Sequence, residues 1–379
     1  MPVKVISFEQ ALRETENAKR FLLLGNGFSI ALFPDRFRYG SLLAEADFSS
    51  LPEARNAFDR LQTVDFEVVI QALRQAVALV PLYSNDGGAV ARMAEHCEAL
   101  KELLVQAIAG RHPERPSDVS DAHYKACRGF LAHFVGESRD LSKAGGKDLR
   151  GKIYTLNYDL LLYWTLLHDQ IVVGGLDNLL AARVEDTEPL QHDDGFRAPE
   201  DEPEAPYVTW DAEGGANQQT IHFLHGALHL FDYGPDLQKK CWERSGGVPL
   251  VDQIRQALAD SKFPLFVAEG HSDGKLTRIR HSGYLQRSLK SFASICRPGA
   301  NSNTSLFIYG HSLATSDNHV LNFIERGKIR RVYISLYGEP TDAHNQALIR
   351  RAEVLTRFRT EKFPLEITFF SAQSAQVWG

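Results

Sequence analysis

The chain has 379 residues, 42 basic against 48 acidic side chains for a formal net charge of −6, 44% hydrophobic residues and four cysteines. This composition excludes a disordered or fibrous chain, and the acidic balance gives no support to nucleic-acid binding through bulk positive charge. No apolar run reaches the roughly 18 to 20 residues that cross a bilayer, and Met1 to Gln10 lacks a charged segment followed by an apolar one, so the expectation is a cytoplasmic protein without membrane contact.

At about 150 residues per domain, the length fits one large domain or two modest ones. In chain order, short apolar runs occur at Phe21–Leu24, Ile153–Thr155, Ile221–Leu224, Leu265–Ala268, Leu306–Tyr309, Val332–Leu336 and Ile367–Phe370. Most end in Gly, Asn, His or Ser and are followed by helix-compatible sequence, which predicts an α/β domain with a Rossmann-like, mainly parallel sheet. Between the first and second runs, helical periodicity marks Phe66–Val80, Ala89–Ala109 and Ala122–Val135. Leu100, Leu103, Leu104 and Ile108 share one helix face. A helical insertion over residues 51–149 is therefore expected after the first βα unit, with residues 1–50 and 150–379 forming the sheet domain. Glu185 to Glu204 holds nine acidic residues against one arginine and several prolines, so residues 185–206 read as an exposed acidic loop. Basic residues cluster at Lys328, Arg330 and Arg331 and at Arg350, Arg351, Arg357 and Arg359, without any recognised nucleic-acid motif.

Four strand ends carry the polar residues suited to chemistry. Phe21–Leu24 runs into Gly25-Asn26-Gly27-Phe28-Ser29, where missing Cβ atoms suit either a tight turn or close approach of a phosphate or ribose. The third glycine of the dinucleotide fingerprint is replaced by Ile30. Ile153–Thr155 delivers Asn157 and Asp159, fit for a ligand or for an Asx turn and helix cap. Ile221–Leu224 delivers His225 and Gly226, a histidine able to act as a general base, while His222 and His229 read as structural. Leu306–Tyr309 delivers Gly310, Ser312 and, further on, Asp317. Gly310-His-Ser312-Leu-Ala314 is also one residue from a nucleophile elbow, which leaves a serine hydrolase using Ser312 as an alternative. Asp342 and His344, only two residues apart, fit that triad poorly. The cysteines at 97, 127, 241 and 296 form no CxxC pair, so no zinc ribbon or other metal site is expected.

Taken in order, these segments resemble the sirtuin-like superfamily. Gly25-Asn26-Gly27-Phe28-Ser29 is similar to that family's Gly-Ala-Gly-x-Ser loop, and Phe33-Pro34-Asp35-Arg36-Phe37-Arg38 to the Pro-Asp-Phe-Arg after it. Thr155-Leu156-Asn157-Tyr158-Asp159 is similar to Thr-Gln-Asn-x-Asp, His225-Gly226 to the catalytic His-Gly, and Gly310-His311-Ser312-Leu313 to Gly-Thr-Ser-Leu. Sirtuin deacylases carry a four-cysteine zinc module that this chain lacks. The resemblance is thus to the zinc-less bacterial NAD hydrolases associated with antiphage defence, and it implies cleavage of NAD to nicotinamide and ADP-ribose, released by a sensing partner or by homo-oligomerisation. It further implies Asn157, Asp159 and His225 as catalytic, with Gly25, Asn26, Gly27, Phe28, Ser29, Gly226, Gly310, Ser312 and Asp317 along the dinucleotide. A non-catalytic module that binds NAD or ADP-ribose is the other reading. Whether Glu269 and His271 enter the pocket is open at this stage.

Overall fold

The computed structural model describes all residues except 1–2, 143–144, 169–187, 215–217, 235, 242–243, 245 and 300. Its strands are β1 (Val5–Ile6), β2 (Lys19–Leu24), β3 (Ile153–Thr155), β4 (Phe196–Arg197), β5 (Tyr207–Trp210), β6 (Ile221–Phe223), β7 (Leu230–Asp232), β8 (Leu237–Lys240), β9 (Thr304–Tyr309), β10 (Arg331–Leu336) and β11 (Glu366–Ser371). Seven of them form one sheet in the order β1-β11-β10-β9-β2-β3-β6, and every pairing in it is parallel. The α/β fold with a Rossmann-like parallel sheet is as expected.

Parallel strands covered on both faces must be apolar on both, which is why they read as runs and not as alternating patterns. Leu22, Leu23 and Leu24 have no exposed surface. On one face, Phe8, Phe130, Phe134, Phe307 and Phe370 interlock with ring centroids 5.3 to 6.1 Å apart. On the other, Tyr154 packs between Phe292 and His222.

The helices between β2 and β3 agree with the periodicity: Phe66–Leu79, Gly87–Arg111 and Asp121–Val135. Each starts at a side-chain cap, from Asp65, Asp86 and Ser120 in turn. The last of the three was assigned by sequence to the insertion. Phe130 and Phe134 instead seat it on Tyr309 and Phe307 of the sheet, so it serves as the crossover helix into β3.

Three elements differ from expectation. Leu265–Ala268 is not a strand of the sheet. Leu265 takes its bonds from Ala227 and gives its own N–H to Leu230, while the Val267 carbonyl accepts the Tyr158 hydroxyl, so the segment lines the β6 to β7 connection. A second sheet, antiparallel and ordered β4-β5-β8-β7, carries no long apolar run and went unforeseen. Part of the acidic stretch belongs to it: Asp194 pairs with Lys239 and Asp193 with Arg197, leaving Glu200 to Glu204 exposed. Glu185, Asp186 and Thr187 lie outside the described residues. Of the basic clusters, Arg351 and Arg359 are spent on the carbonyls of Leu313, Gly327 and Ile329.

All four cysteines are buried free thiols. Among the described residues no helix is long and apolar enough to cross a membrane.

Candidate functional site

Numbered from β2, the strands β6-β3-β2-β9-β10-β11 run 3-2-1-4-5-6, the order of doubly wound dinucleotide folds, with β1 added at the edge. The order reverses between β2 and β9. Leu24 pairs with both Thr155 and Tyr309, and Thr155 with Phe223, so four strands end at one level. Their continuations, Gly25, Leu156, Leu224 and Gly310, leave together at the carboxyl edge where such folds hold ligands.

The two glycine turns meet there. Gly27 donates to the Gly310 carbonyl at 2.8 Å and Gly25 to that of Tyr309 at 2.9 Å. A Cβ on Gly27 would lie 2.6 Å from the Gly310 Cα, and Gly310 itself has φ +66°. The amides of Gly25, Gly27, Phe28 and Ser29 are all engaged within the protein. The glycines are therefore required by turn-on-turn packing, whatever else they contact. Asn26 donates its side-chain amide to the Phe37 carbonyl. Phe28 is buried under Trp378, whose indole N–H donates to the Phe28 carbonyl at 2.8 Å.

Ser29, Asn157 and Asp159 form a buried chain. The Ser29 hydroxyl donates to Asp159 Oδ2 at 2.5 Å, and Asp159 Oδ1 accepts the Leu161 N–H at 2.9 Å. Having given its proton to the carboxylate, the Ser29 oxygen accepts from Asn157 Nδ2 at 2.9 Å. That fixes the amide orientation and leaves Asn157 Oδ1 buried without a donor. Burial raises the Asp159 pKa, against the Ser29 and Leu161 bonds.

His225 heads the second cluster. Its Nε2 lies 2.9 Å from Nε2 of His319 and 3.9 Å from Asp317 Oδ1, and its ring stacks on Tyr158, the residue between Asn157 and Asp159. Asp317 accepts from His311 Nε2 at 3.1 Å, whose Nδ1 in turn accepts the Leu313 N–H, so the His311 tautomer is set. Lys275 donates to Asp317 at 2.9 Å and to Glu67 at 2.7 Å. This ammonium, on a side chain 1% exposed, joins the inserted helix Phe66–Leu79 to the carboxyl edge of the sheet. Burial alone would lower the Lys275 pKa, but Glu67 and Asp317 outweigh it and raise it. Burial alone would raise Asp317, but Lys275 and the His311 N–H hold it well below the ordinary carboxylate range. Burial, then Lys275, pushes His225 well below its usual value, so the ring is neutral near pH 7.

The structure thus forms two clusters, Ser29 with Asn157 and Asp159 and His225 with Asp317, linked through Tyr158, which stacks on His225. Asp317, assigned from sequence to the dinucleotide, is committed to His311 and Lys275. Gly226, φ +80°, turns the chain directly after His225, with its α-carbon against the Leu265 carbonyl. Ser312 is exposed and has no side-chain hydrogen bond among the described residues, so the structure supplies it with no base. His222 bonds Ser288 and Ser291, and His229 is buried against Tyr163, both as structural residues. Glu269 and His271 stay off the His225 cluster, lining a separate cavity. Glu67, Lys275, His311 and His319 were missed. His319 had a signal, lying two residues after Asp317 at the start of the helix Asn318–Glu325. Among the described residues, His225, Asp317 and His319 are also the group whose ligand atoms lie close enough, within 4.8 Å of one another, to hold a metal ion.

The chain belongs to the family described as a domain of unknown function, DUF4917, which matches residues 22–378. No curated protein matches it.

Proposed function

We propose that the chain hydrolyses the N-glycosidic bond of NAD, giving nicotinamide and ADP-ribose. The observation that carries this reading is Asn157. Its amide is locked by Ser29 so that Oδ1, buried and without a donor, awaits a hydroxyl or water at the carboxyl end of β3. An unsatisfied buried acceptor in a native site calls for a partner, a water, an ion or a ligand group. The 3-2-1-4-5-6 strand order supports a dinucleotide as that ligand.

In the reaction the bond from the anomeric carbon to the pyridinium nitrogen breaks with its electron pair going to nitrogen, so nicotinamide leaves neutral and needs no strong acid. Asn157 Oδ1 orients the water or the ribose hydroxyl. The water oxygen bonds to the anomeric carbon and its proton passes to His225, whose Nδ1 has no hydrogen bond among the described residues. Asp317, at 3.9 Å, stabilises the imidazolium that forms. Asp159 holds Ser29, and through it Asn157, in place.

The test is chromatography of NAD incubated with the wild-type chain, Asn157→Ala and His225→Ala. Each variant is expected to lose about 100-fold or more of the rate. Equal rates in all three would sink the assignment. One observation favours a second reading, a nucleotide-binding module without turnover: Asn157, Asp159 and His225 are only 8%, 5% and 3% exposed, so the site is closed. Calorimetry showing ADP-ribose binding with no NAD consumed would favour it.

A further inference from the structure

The ring of His225 meets that of His319, in the first turn of the helix Asn318–Glu325, end to end. Their Nε2 atoms are 2.9 Å apart and the ring centres 5.1 Å, the span of that contact plus a ring radius at each side. The ring planes differ by 21°. This is the alignment of a single N–H···N hydrogen bond, which needs one proton between the two nitrogens and no more. Two nitrogens aimed at each other share no third point for a cation. The pair is therefore built around that proton, although its nitrogens and Asp317 lie close enough for a metal ion.

Which ring supplies the proton follows from what each nitrogen faces. His225 Nε2 also looks on to Asp317 Oδ1 at 3.9 Å, so a proton there gains from the carboxylate, whereas a lone pair would be repelled by it. Burial pushes the His319 pKa down to about 4, so that ring is neutral near pH 7 and carries one proton. With its Nε2 turned to His225, the place for that proton is Nδ1, and the Ser316 backbone favours a proton on the ring. Of the two outer nitrogens, Nδ1 of His319 is buried; Nδ1 of His225 is not closed off, and makes no hydrogen bond among the described residues. Tyr158, stacked on His225 and tied by its hydroxyl to the Val267 carbonyl, holds the ring plane.

We propose that His319 is the positioning residue of this site: by accepting the Nε2 proton of His225 it confines the His225 lone pair to Nδ1, the outward nitrogen of the pair, and so makes Nδ1 the base. In hydrolysis the water oxygen bonds to the anomeric carbon as its proton goes to Nδ1, and the bond to nicotinamide breaks with its electrons going to nitrogen. The charge left on His225 is spread over the Nε2–H···Nε2 bond and faces Asp317. His319, 4% exposed, acts only through His225. The tautomer follows from the packing alone; its use as a base rests on the hydrolase reading.

Long-range nitrogen–proton correlation NMR on the full chain, with histidine labelled at its ring nitrogens, reads the tautomer without any substrate. At neutral pH the His225 signals, identified by their absence in His225→Gln, are expected to show a protonated Nε2 and a bare Nδ1, unchanged by zinc chloride. A protonated Nδ1, or displacement of the shared proton by zinc, overturns the proposal. His319→Gln keeps an amide oxygen that can accept, and is expected to keep the tautomer. His319→Phe keeps a ring without an acceptor, and is expected to show both tautomers and a kcat on NAD about tenfold lower, with KM little changed. Equal losses of kcat in the two variants, or the wild-type tautomer surviving in His319→Phe, overturn the positioning role. Should wild type consume no NAD, the base role falls with the hydrolase reading, while the spectra still decide the tautomer.

Discussion

His112 is fully buried against Trp164, its Nε2 accepting the Leu160 N–H at 3.0 Å and its Nδ1 bonded to the Pro113 carbonyl at 2.9 Å. Both bonds are met by one neutral tautomer. Burial pushes its pKa down to about 4 from an ordinary 6.5. The unfolded chain therefore takes up a proton before the folded one, and stability present above pH 6.5 is lost as pH falls towards 4. The size is about 3 kcal/mol for this residue alone. Urea melts at neutral pH and near pH 4.5 should show the drop, and His112→Gln should make it smaller, the rest belonging to His133, His229 and His319, whose pKa burial also lowers. A wild-type curve level over that window would be incompatible with a neutral buried ring. At this scale the strand-end residues were legible, because a polar side chain that follows a buried strand has nowhere to go but the carboxyl edge. Lys275 was not. Its helix, Ser-Asp-Gly-Lys-Leu-Thr-Arg-Ile-Arg, has the charge density of a solvated surface, and only the arrival of Glu67 and Asp317 from distant sequence makes the buried ammonium tolerable.

Among the elements, the glycine turns after β2 and β9 show how a sequence signal can be right in place and incomplete in reason. Gly-x-Gly is the pattern of a phosphate loop, yet each glycine here faces the other turn. Gly27→Ala would drive a methyl to 2.6 Å from the Gly310 Cα, where backbone and not a pliable side chain must yield. Overpacking of this kind destabilises by about 1 to 3 kcal/mol. Calorimetric melting of Gly27→Ala should show a lower Tm, and if the turns also frame the substrate, NAD cleavage should fall further than stability does. Unchanged melting would mean that the turns part at no expense. Leu265–Ala268 was misread because an apolar run of four says buried and extended but not paired. The partners it found are a side chain, Tyr158, and a loop, which no periodicity encodes. The small antiparallel sheet escaped for the opposite reason, since its strands are half-exposed and mixed in polarity.

At the level of the whole molecule, strand order is what sequence alone leaves open. Apolar runs count the strands, while the right-handed crossovers that decide neighbours depend on which face each helix covers. The helix Asp121–Val135 does this for β2 and β3 from the far side of the inserted helices. The same long-range logic ties Trp378 to the first glycine turn, 350 positions away. Trp378→Phe keeps the packing on Phe28 and removes the indole N–H with its bond to the Phe28 carbonyl, worth about 0.5 to 1.5 kcal/mol. Its urea midpoint should fall with an unchanged slope; a fall in slope instead would mean that the native fold itself had loosened.

The four buried cysteines give this molecule built-in clocks. A thiol reacts as thiolate and only when reached, so each alkylates at the rate at which its own surroundings open. Cys97 lies between the inserted helices, with its thiol on the Ile70 carbonyl, whereas Cys127 sits on the crossover helix with no exposed surface. Mass spectrometry of iodoacetamide adducts over time should find Cys97 labelled well before Cys127. The ratio of the two rates would time the parting of the inserted helices separately from the unfolding of the sheet.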